Sequence, residues 1–293
     1  MKLSYNQGCT LWNSTLAQDL VLCEQAGYDY IELRIDKLRE YLLTHTLDEL
    51  KAFFAGHRIK PHSINGVYVY ADFLGENDTD TERSRALMED ITFACRVAQA
   101  VGSPAIVVVP DMNRDEAENK AYDKPWKDIF RETVRIFTQL SDIAGPYGIN
   151  IALELVGSKR CSVRTVEQAA KIINAVNRSN VGYTIDAFNL YLYNRFNNFS
   201  ILKQLDPKKI FVVHINNSED VPPESLRQAH RTFADCGPID IRGYLSNLKE
   251  MGYDGMVSIE FFRPDCWEKP AEWVIQETYR TTREVLEKYG VLN

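Results

Sequence analysis

Apolar positions in this chain switch repeatedly between two spacings. Leu16, Leu20 and Cys23, and again Ile91, Ala94, Cys95 and Ala98, recur every three or four residues, the period of an amphipathic helix. Short apolar runs such as AIVVV at 105–109 are strand-sized and read as strands covered on both faces. The two patterns meet at glycine. CEQAGYDYIELR around Gly27, VAQAVGSPAIVVV around Gly102, AGPYGINIALEL around Gly148 and LKEMGYDGMVSIEFF around Gly252 each run from a helical pattern into an apolar strand, and FFAGHRIKPHSI around Gly56 is a weaker copy. Glycine ends a helix in a left-handed conformation without a Cβ clash, so each copy marks an α-to-β junction. Thr46-Leu-Asp-Glu49 has capping-box form, and a long last helix containing Glu272 is predicted to reach Tyr289.

Eight strands emerge, at 2–9, 30–35, 60–67, 105–109, 150–156, 181–186, 210–216 and 256–262. Alternating with about as many helices, they predict an α/β chain folded as a single (β/α)8 TIM barrel over residues 1–293. An open doubly wound sheet would show the same alternation, but no Gly-x-Gly-x-x-Gly follows the first strand and no linker divides the chain. The long polar stretches, 71–84 and 111–125, each follow a strand directly. In a barrel such loops cover the C-terminal face, where active sites are built.

Composition narrows the function classes. With 293 residues, 45% apolar and 26% charged, the chain can bury its own core without staples. Lys and Arg number 34 against 41 Asp and Glu, a net charge of −7, so the electrostatic footprint of a phosphate-backbone binder is missing and no nucleic-acid partner is expected. The first residues turn polar after one leucine, so neither a signal peptide nor a membrane span is expected. Six scattered cysteines without a Cys-x-x-Cys read as free thiols of a reducing compartment, which predicts a soluble cytoplasmic protein.

A barrel brings the C-terminal ends of its strands to one mouth, and four predicted strands end in ionisable residues. The fifth ends ALE at Glu154, the sixth YTID at Asp186, the seventh VVH at His214 and the eighth SIE at Glu260. A buried carboxylate is costly unless paired or bound to metal, so four such residues at matching positions call for one explanation. One divalent metal ion supplies it; three oxygens and one nitrogen suit Zn, Mn, Co or Mg, with substrate or water completing the shell.

These residues fall in longer stretches, LCEQAGYDYIELR, DKLREYL, HRIKP, LSDIAGPYGINIALELVG, NAVNRSNVGYTIDAF, KKIFVVHINNSEDVP and VSIEFFRP. In them the chain resembles the xylose-isomerase-like barrel superfamily, and within it the inosose (2-keto-myo-inositol) isomerases of inositol catabolism. The resemblance implies that Glu154, Asp186, His214 and Glu260 hold the metal and that Glu154 and Glu260 are the catalytic proton-transfer pair. It implies a small polyol or keto-sugar substrate whose ketone moves to an adjacent carbon through an enediolate, 2-keto-myo-inositol giving 1-keto-D-chiro-inositol. Ketohexose epimerases and inosose or 3-dehydroshikimate dehydratases of the superfamily start with the same proton abstraction and are the alternatives. An apurinic endonuclease would need more zinc-binding histidines and a basic surface. A non-catalytic sugar-binding barrel would not need the intact metal set. A homo-oligomer is left open.

Other residues are candidates for substrate binding. His62 is expected at the end of the third strand, within reach of a substrate hydroxyl. Glu32 and Arg34 are expected on opposite faces of the second strand, with Glu32 inward. Asn189 stands where relatives carry histidine, three residues after the aspartate. Arg231 opens RTFADCG where relatives have Arg-x-x-Pro-Gly-x-Gly, and Arg263 lies just past Glu260. Trp126, Tyr68, Tyr70, Tyr191 and Tyr193 are candidates to wall a sugar-sized pocket.

Overall fold

All five glycine-marked junctions connect a helix to a strand in the structure, a computed structural model that describes residues 1–69, 82–113 and 120–292. Helix α1 (Leu16–Ala26) stops at Gly27, whose φ of 109° lets its N–H reach the carbonyls of Cys23 and Glu24 before β2 (Tyr30–Arg34) begins. Gly56 differs: it is the last residue of α3 (Leu47–Gly56), which passes into an extended His57 without any left-handed residue. Both arms of the Thr46–Glu49 capping box form at the start of that helix.

The other strands are β1 (Lys2–Asn6), β3 (Lys60–Tyr68), β4 (Ala105–Val109), β5 (Asn150–Glu154), β6 (Val181–Asp186), β7 (Ile210–Ile215), β8 (Asn217–Ser218), β9 (Arg231–Thr232) and β10 (Met256–Ile259). The other helices are α2 (Ile35–Tyr41), α4 (Glu82–Val101), α5 (Trp126–Ala144), α6 (Val166–Val176), α7 (Ala187–Leu192), α8 (Ile241–Glu250), α9 (Pro264–Trp267) and α10 (Ala271–Lys288). Eight strands close into a barrel in the order β1-β10-β7-β6-β5-β4-β3-β2, and every adjacent pair is parallel. The fold is a TIM barrel. Strands β8 and β9 form a separate antiparallel pair, with Ser218 opposite Arg231.

Several strands stop short of the apolar run that predicted them. Asn6 accepts from the N–H of Gly8 and turns Gln7–Thr10 into a 3-10 helix, so the first strand ends at 6 rather than 9. Ile35 opens α2 instead of closing the second strand. β10 ends at Ile259, although the Glu260 N–H still reaches the Ile215 carbonyl at 3.2 Å and keeps that residue on the ladder.

Strand alternation sorts the core into two parts. Ile106, Val108, Ile151, Leu153, Ile185, Val213 and Ile215 belong to the large core shared with the helices. Ala105, Val107, Ala152 and Val212 form a small plug of their own. Two residues beyond the plug on the same face come Glu154 on β5 and His214 on β7. The mouth therefore stands on an apolar floor on the β4, β5 and β7 side, while Thr184 and Ser258 lie two residues below Asp186 and Glu260. All six cysteines are free, five of them buried. Among the described residues no helix is long and apolar enough to cross a membrane.

Candidate functional site

Register brings the four strand-end residues together. Asp186 pairs with His214 across β6 and β7, and His214 pairs with Ser258, two residues before Glu260. One ligand atom from each of Glu154, Asp186, His214 and Glu260 lies within 4.8 Å of the others, and all four residues are buried. His214 Nδ1 is 3.2 Å from Glu260 Oε2, 3.5 Å from Glu154 Oε1 and 3.6 Å from Asp186 Oδ2. That nitrogen is buried and makes no hydrogen bond. Three carboxylates around one imidazole nitrogen are the donor set that a divalent cation takes when the ring is neutral, so the residues fit one.

The shell around the cluster is built to aim it. Asn6 and Asn65 donate to Glu260 Oε1 at 2.9 and 3.1 Å, leaving Oε2 toward His214. Asn189 donates to Glu154 Oε1 at 2.9 Å. Asp186 accepts from its own helix, as the N-cap of α7, and from Asn216 at 3.2 Å. Glu32 lies 3.0 Å from His214 Nε2 and accepts from Ser63 at 2.5 Å, so it stands behind the imidazole and turns Nδ1 into the cluster.

Electrostatics follow from this crowding. Burial and the neighbouring Glu260 carboxylate push the Glu154 carboxyl up to about 7. Burial opposes a charge on His214, but the Glu260 and Glu32 carboxylates hold its pKa well above the ordinary value. Burial would raise Asp186 too, yet Arg231 and His214 keep it below the usual carboxylate range. Glu32 is likewise buried, and His214 brings it down to about 2.

The predicted substrate residues are placed unevenly. His62 stands near the start of β3 rather than its end, because that strand runs on to Tyr68; it is buried, with Nδ1 on Ser4 at 3.1 Å and its pKa pushed down to about 4 by burial. It belongs to the barrel interior rather than the mouth. Glu32 and Arg34 do not face opposite ways: residues two apart on a strand share a face, and both are buried. Arg34 is held by Asp36 at 2.9 Å. The Asn189 amide is committed to protein, donating to Glu154 and accepting from Gln228 and Arg231. Arg231 is 1% exposed, pairs with Asp186 at 2.6 Å and stacks on Phe188. Arg263 pairs with Glu219 at 2.7 Å and donates to the Arg231 carbonyl.

Of the aromatic candidates, Tyr68 packs with Val109, Val156, Cys161 and Met112 in an apolar patch at the ends of β3, β4 and β5. Tyr191 is buried, Trp126 packs on the outer core, Tyr193 lies under Arg164, and Tyr70 lies outside the described residues. Asn6, Asn65, Asn216 and Gln228 were missed. Asn6 and Asn216 stand at the ends of β1 and β7 in SYNQG and VHINN, the same positional signal that marked the carboxylates, whereas Asn65 lies inside β3.

Comparison with known proteins finds relatives over nearly the whole length of the chain. An inosose isomerase of Bacillus velezensis is 41% identical over 99% of this chain and 98% of its own length. An inosose isomerase of Bacillus subtilis is 41% identical, covering 99% of both chains. A solved structure of the IolI protein with a bound zinc atom superposes with a TM-score of 0.89 at 40% identity, covering 99% of both chains. The family described as xylose isomerase-like TIM barrel matches residues 20–288. With its fold and its relatives in agreement, the chain belongs to the xylose isomerase-like TIM barrel family and is an isomerase.

Proposed function

We propose that the protein isomerises inosose, moving the ketone of 2-keto-myo-inositol to give 1-keto-D-chiro-inositol, with one divalent metal held by Glu154, Asp186, His214 and Glu260. The observation that carries this reading is the pair of buried glutamates, from the end of β5 and just past β10, whose carboxylates meet at one nitrogen of His214. The relatives named inosose isomerase and the zinc of the IolI structure support it.

A divalent cation bound there would chelate the ketone oxygen and the neighbouring hydroxyl and offset the negative charge that grows as the α-proton leaves. Glu260, aimed by Asn6 and Asn65, takes that proton through Oε2. Glu154, oriented by Asn189 and ionised as a ligand, takes the hydroxyl proton of the same carbon and returns it to the adjacent carbon, while the proton held by Glu260 passes to the former ketone oxygen, so both carboxylates are restored. Arg231 tethers Asp186 and adds positive charge beside the developing enediolate. The apolar patch of Tyr68, Val109 and Val156 gives the C–H face of a cyclic polyol something to lie against.

The test is incubation of the metal-loaded enzyme with 2-keto-myo-inositol, fructose and 3-dehydroshikimate in deuterated water, followed by NMR. Deuterium appearing next to the ketone of inosose together with the isomeric inosose is the expected result. Epimerisation of fructose, or loss of water from either cyclic substrate with no isomer formed, would replace the reading with the epimerase or dehydratase alternative.

A further inference from the structure

The loops that follow β5, β6 and β7 enclose a cavity of about 310 Å3 beside the carboxylate cluster. Its lining carries Lys159, Arg160, Arg164, Arg195 and Arg227 against the single carboxylate of Glu224. In a chain of net charge −7 this is a local reversal of sign. Arg195 is paired with Asp220, and Arg160 donates to the Asn113 carbonyl. Arg164 and Arg227 are held in place without being neutralised. Arg164 makes two bonds to the Gly157 carbonyl and stacks on Tyr193 at 4.8 Å. Arg227 donates to the carbonyls of Glu224 and Leu226. No carboxylate among the described residues forms an ion pair with either of them or with Lys159.

A guanidinium fixed by carbonyls keeps its full charge and its unspent N–H donors in a preorganised fork, the arrangement that binds phosphate oxygens. Asn194 and Arg195, both in the left-handed conformation at φ of 53° and 54°, line the same cavity. Such backbone strain is retained where a particular side-chain direction matters. The cavity is also connected to the chemistry. Gln228 lines it, donates to Asn189 Oδ1 at 3.0 Å and accepts from Arg231 Nε at 2.7 Å, and Asn189 in turn holds Glu154.

We propose that this cavity is a phosphate-monoester site, with Arg164, Arg227 and Lys159 holding the dianion. The phosphate belongs either to a phosphorylated polyol that reaches into the mouth as substrate or to a separate effector sensed through Gln228 and Asn189. Binding is read without turnover, so the site stands or falls independently of the isomerase reading.

The experiment is calorimetric titration of the metal-loaded protein with myo-inositol monophosphate, with inorganic phosphate and with neutral myo-inositol. Both phosphates are expected to bind saturably, and Arg164→Gln/Arg227→Gln is expected to weaken them about tenfold or more, while Arg280→Gln on the far helix α10 leaves them unchanged. Equal affinities in wild type and double variant, or no saturation by either phosphate up to about 10 mM, would overturn the proposal. If circular dichroism shows the double variant unfolded, Arg227→Gln alone, at an exposed position, carries the test with an expected loss of about threefold. A lower KM for phosphorylated than for neutral inosose, lost in the variant, assigns the phosphate to the substrate; a change in neutral turnover on adding inorganic phosphate assigns it to an effector.

Discussion

Two clusters of buried charge lie in this barrel, and they are built on opposite principles. Asp19 on α1 and Lys37 on α2 form an ion pair at 2.7 Å in which nothing is left over. Asp19 also accepts from Gln7, Thr10 and Ser14, and Lys37 spends its remaining protons on the Thr10 carbonyl and the Ser14 hydroxyl. The strand-end cluster instead sets four carboxylates, Glu32, Glu154, Asp186 and Glu260, against Arg231 and His214, and crowds three of them around His214 Nδ1 without a hydrogen bond to it. A pair that exists for folding closes on itself, because any unmet buried charge costs stability. A cluster that exists for chemistry keeps capacity in reserve and is stable only because its surroundings hold it.

Breaking each cluster should therefore give different symptoms. Glu260→Gln should slow exchange of the substrate α-proton with solvent by about 10²–10⁴, since an amide keeps the shape but cannot accept the proton. Its thermal unfolding should change little. Deuterium uptake by NMR together with metal analysis checks this; retained exchange in a metal-replete variant removes Glu260 from proton transfer.

Lys37→Met should do the reverse. It strands Asp19 as an unpaired buried carboxylate and should cost about 3–5 kcal/mol in denaturant unfolding. Turnover per folded molecule should stay at the wild-type level. An unaltered unfolding midpoint would mean that the Asp19 pair is not structural.

Glu32→Gln tests the link between holding and function. Losing the carboxylate behind His214 should weaken metal binding about 10–100-fold, as measured by competition with a chelator. Unchanged affinity would reduce Glu32 to a barrel-filling residue.

The last expected effect is that of pH. Glu154 keeps its proton up to about pH 7 in the metal-free fold, and His214 keeps one above its ordinary range. Each must lose that proton to bind a cation, so metal affinity should rise with pH, by about one log unit per pH unit for each proton displaced. In the metal-free protein Glu154 acts on stability with the opposite sense: between its ordinary value of 4.5 and about 7 the folded chain holds a proton the unfolded chain has lost, so stability falls as pH rises. A metal affinity flat between pH 6 and 8 would contradict the crowding that distinguishes this cluster from the Asp19 pair.

Much of this was legible in the sequence. The helix-to-strand rhythm, the glycine junctions and the four ionisable strand ends are local patterns, and Glu154, Asp186, His214 and Glu260 converge because each ends its strand at a similar height. The supporting amides were harder to see. Asn6 and Asn216 occupy strand ends as the carboxylates do and Asn65 lies within β3, but an amide carries no buried charge and so raises no alarm.

What the sequence by itself determined is the barrel and the identity of the groups at its mouth, because strand and helix periods are written within a few residues of each other and depend on backbone geometry alone. What only the tertiary structure decided is which group faces which. Glu32 reaches His214 across 182 residues of chain, Arg231 reaches Asp186 across 45, and Asn65 reaches Glu260 across 195. His62 sank below the mouth because its strand runs on to Tyr68. Those partnerships depend on the stagger with which eight strands close and on the path of each loop over the rim, and no local period encodes either one.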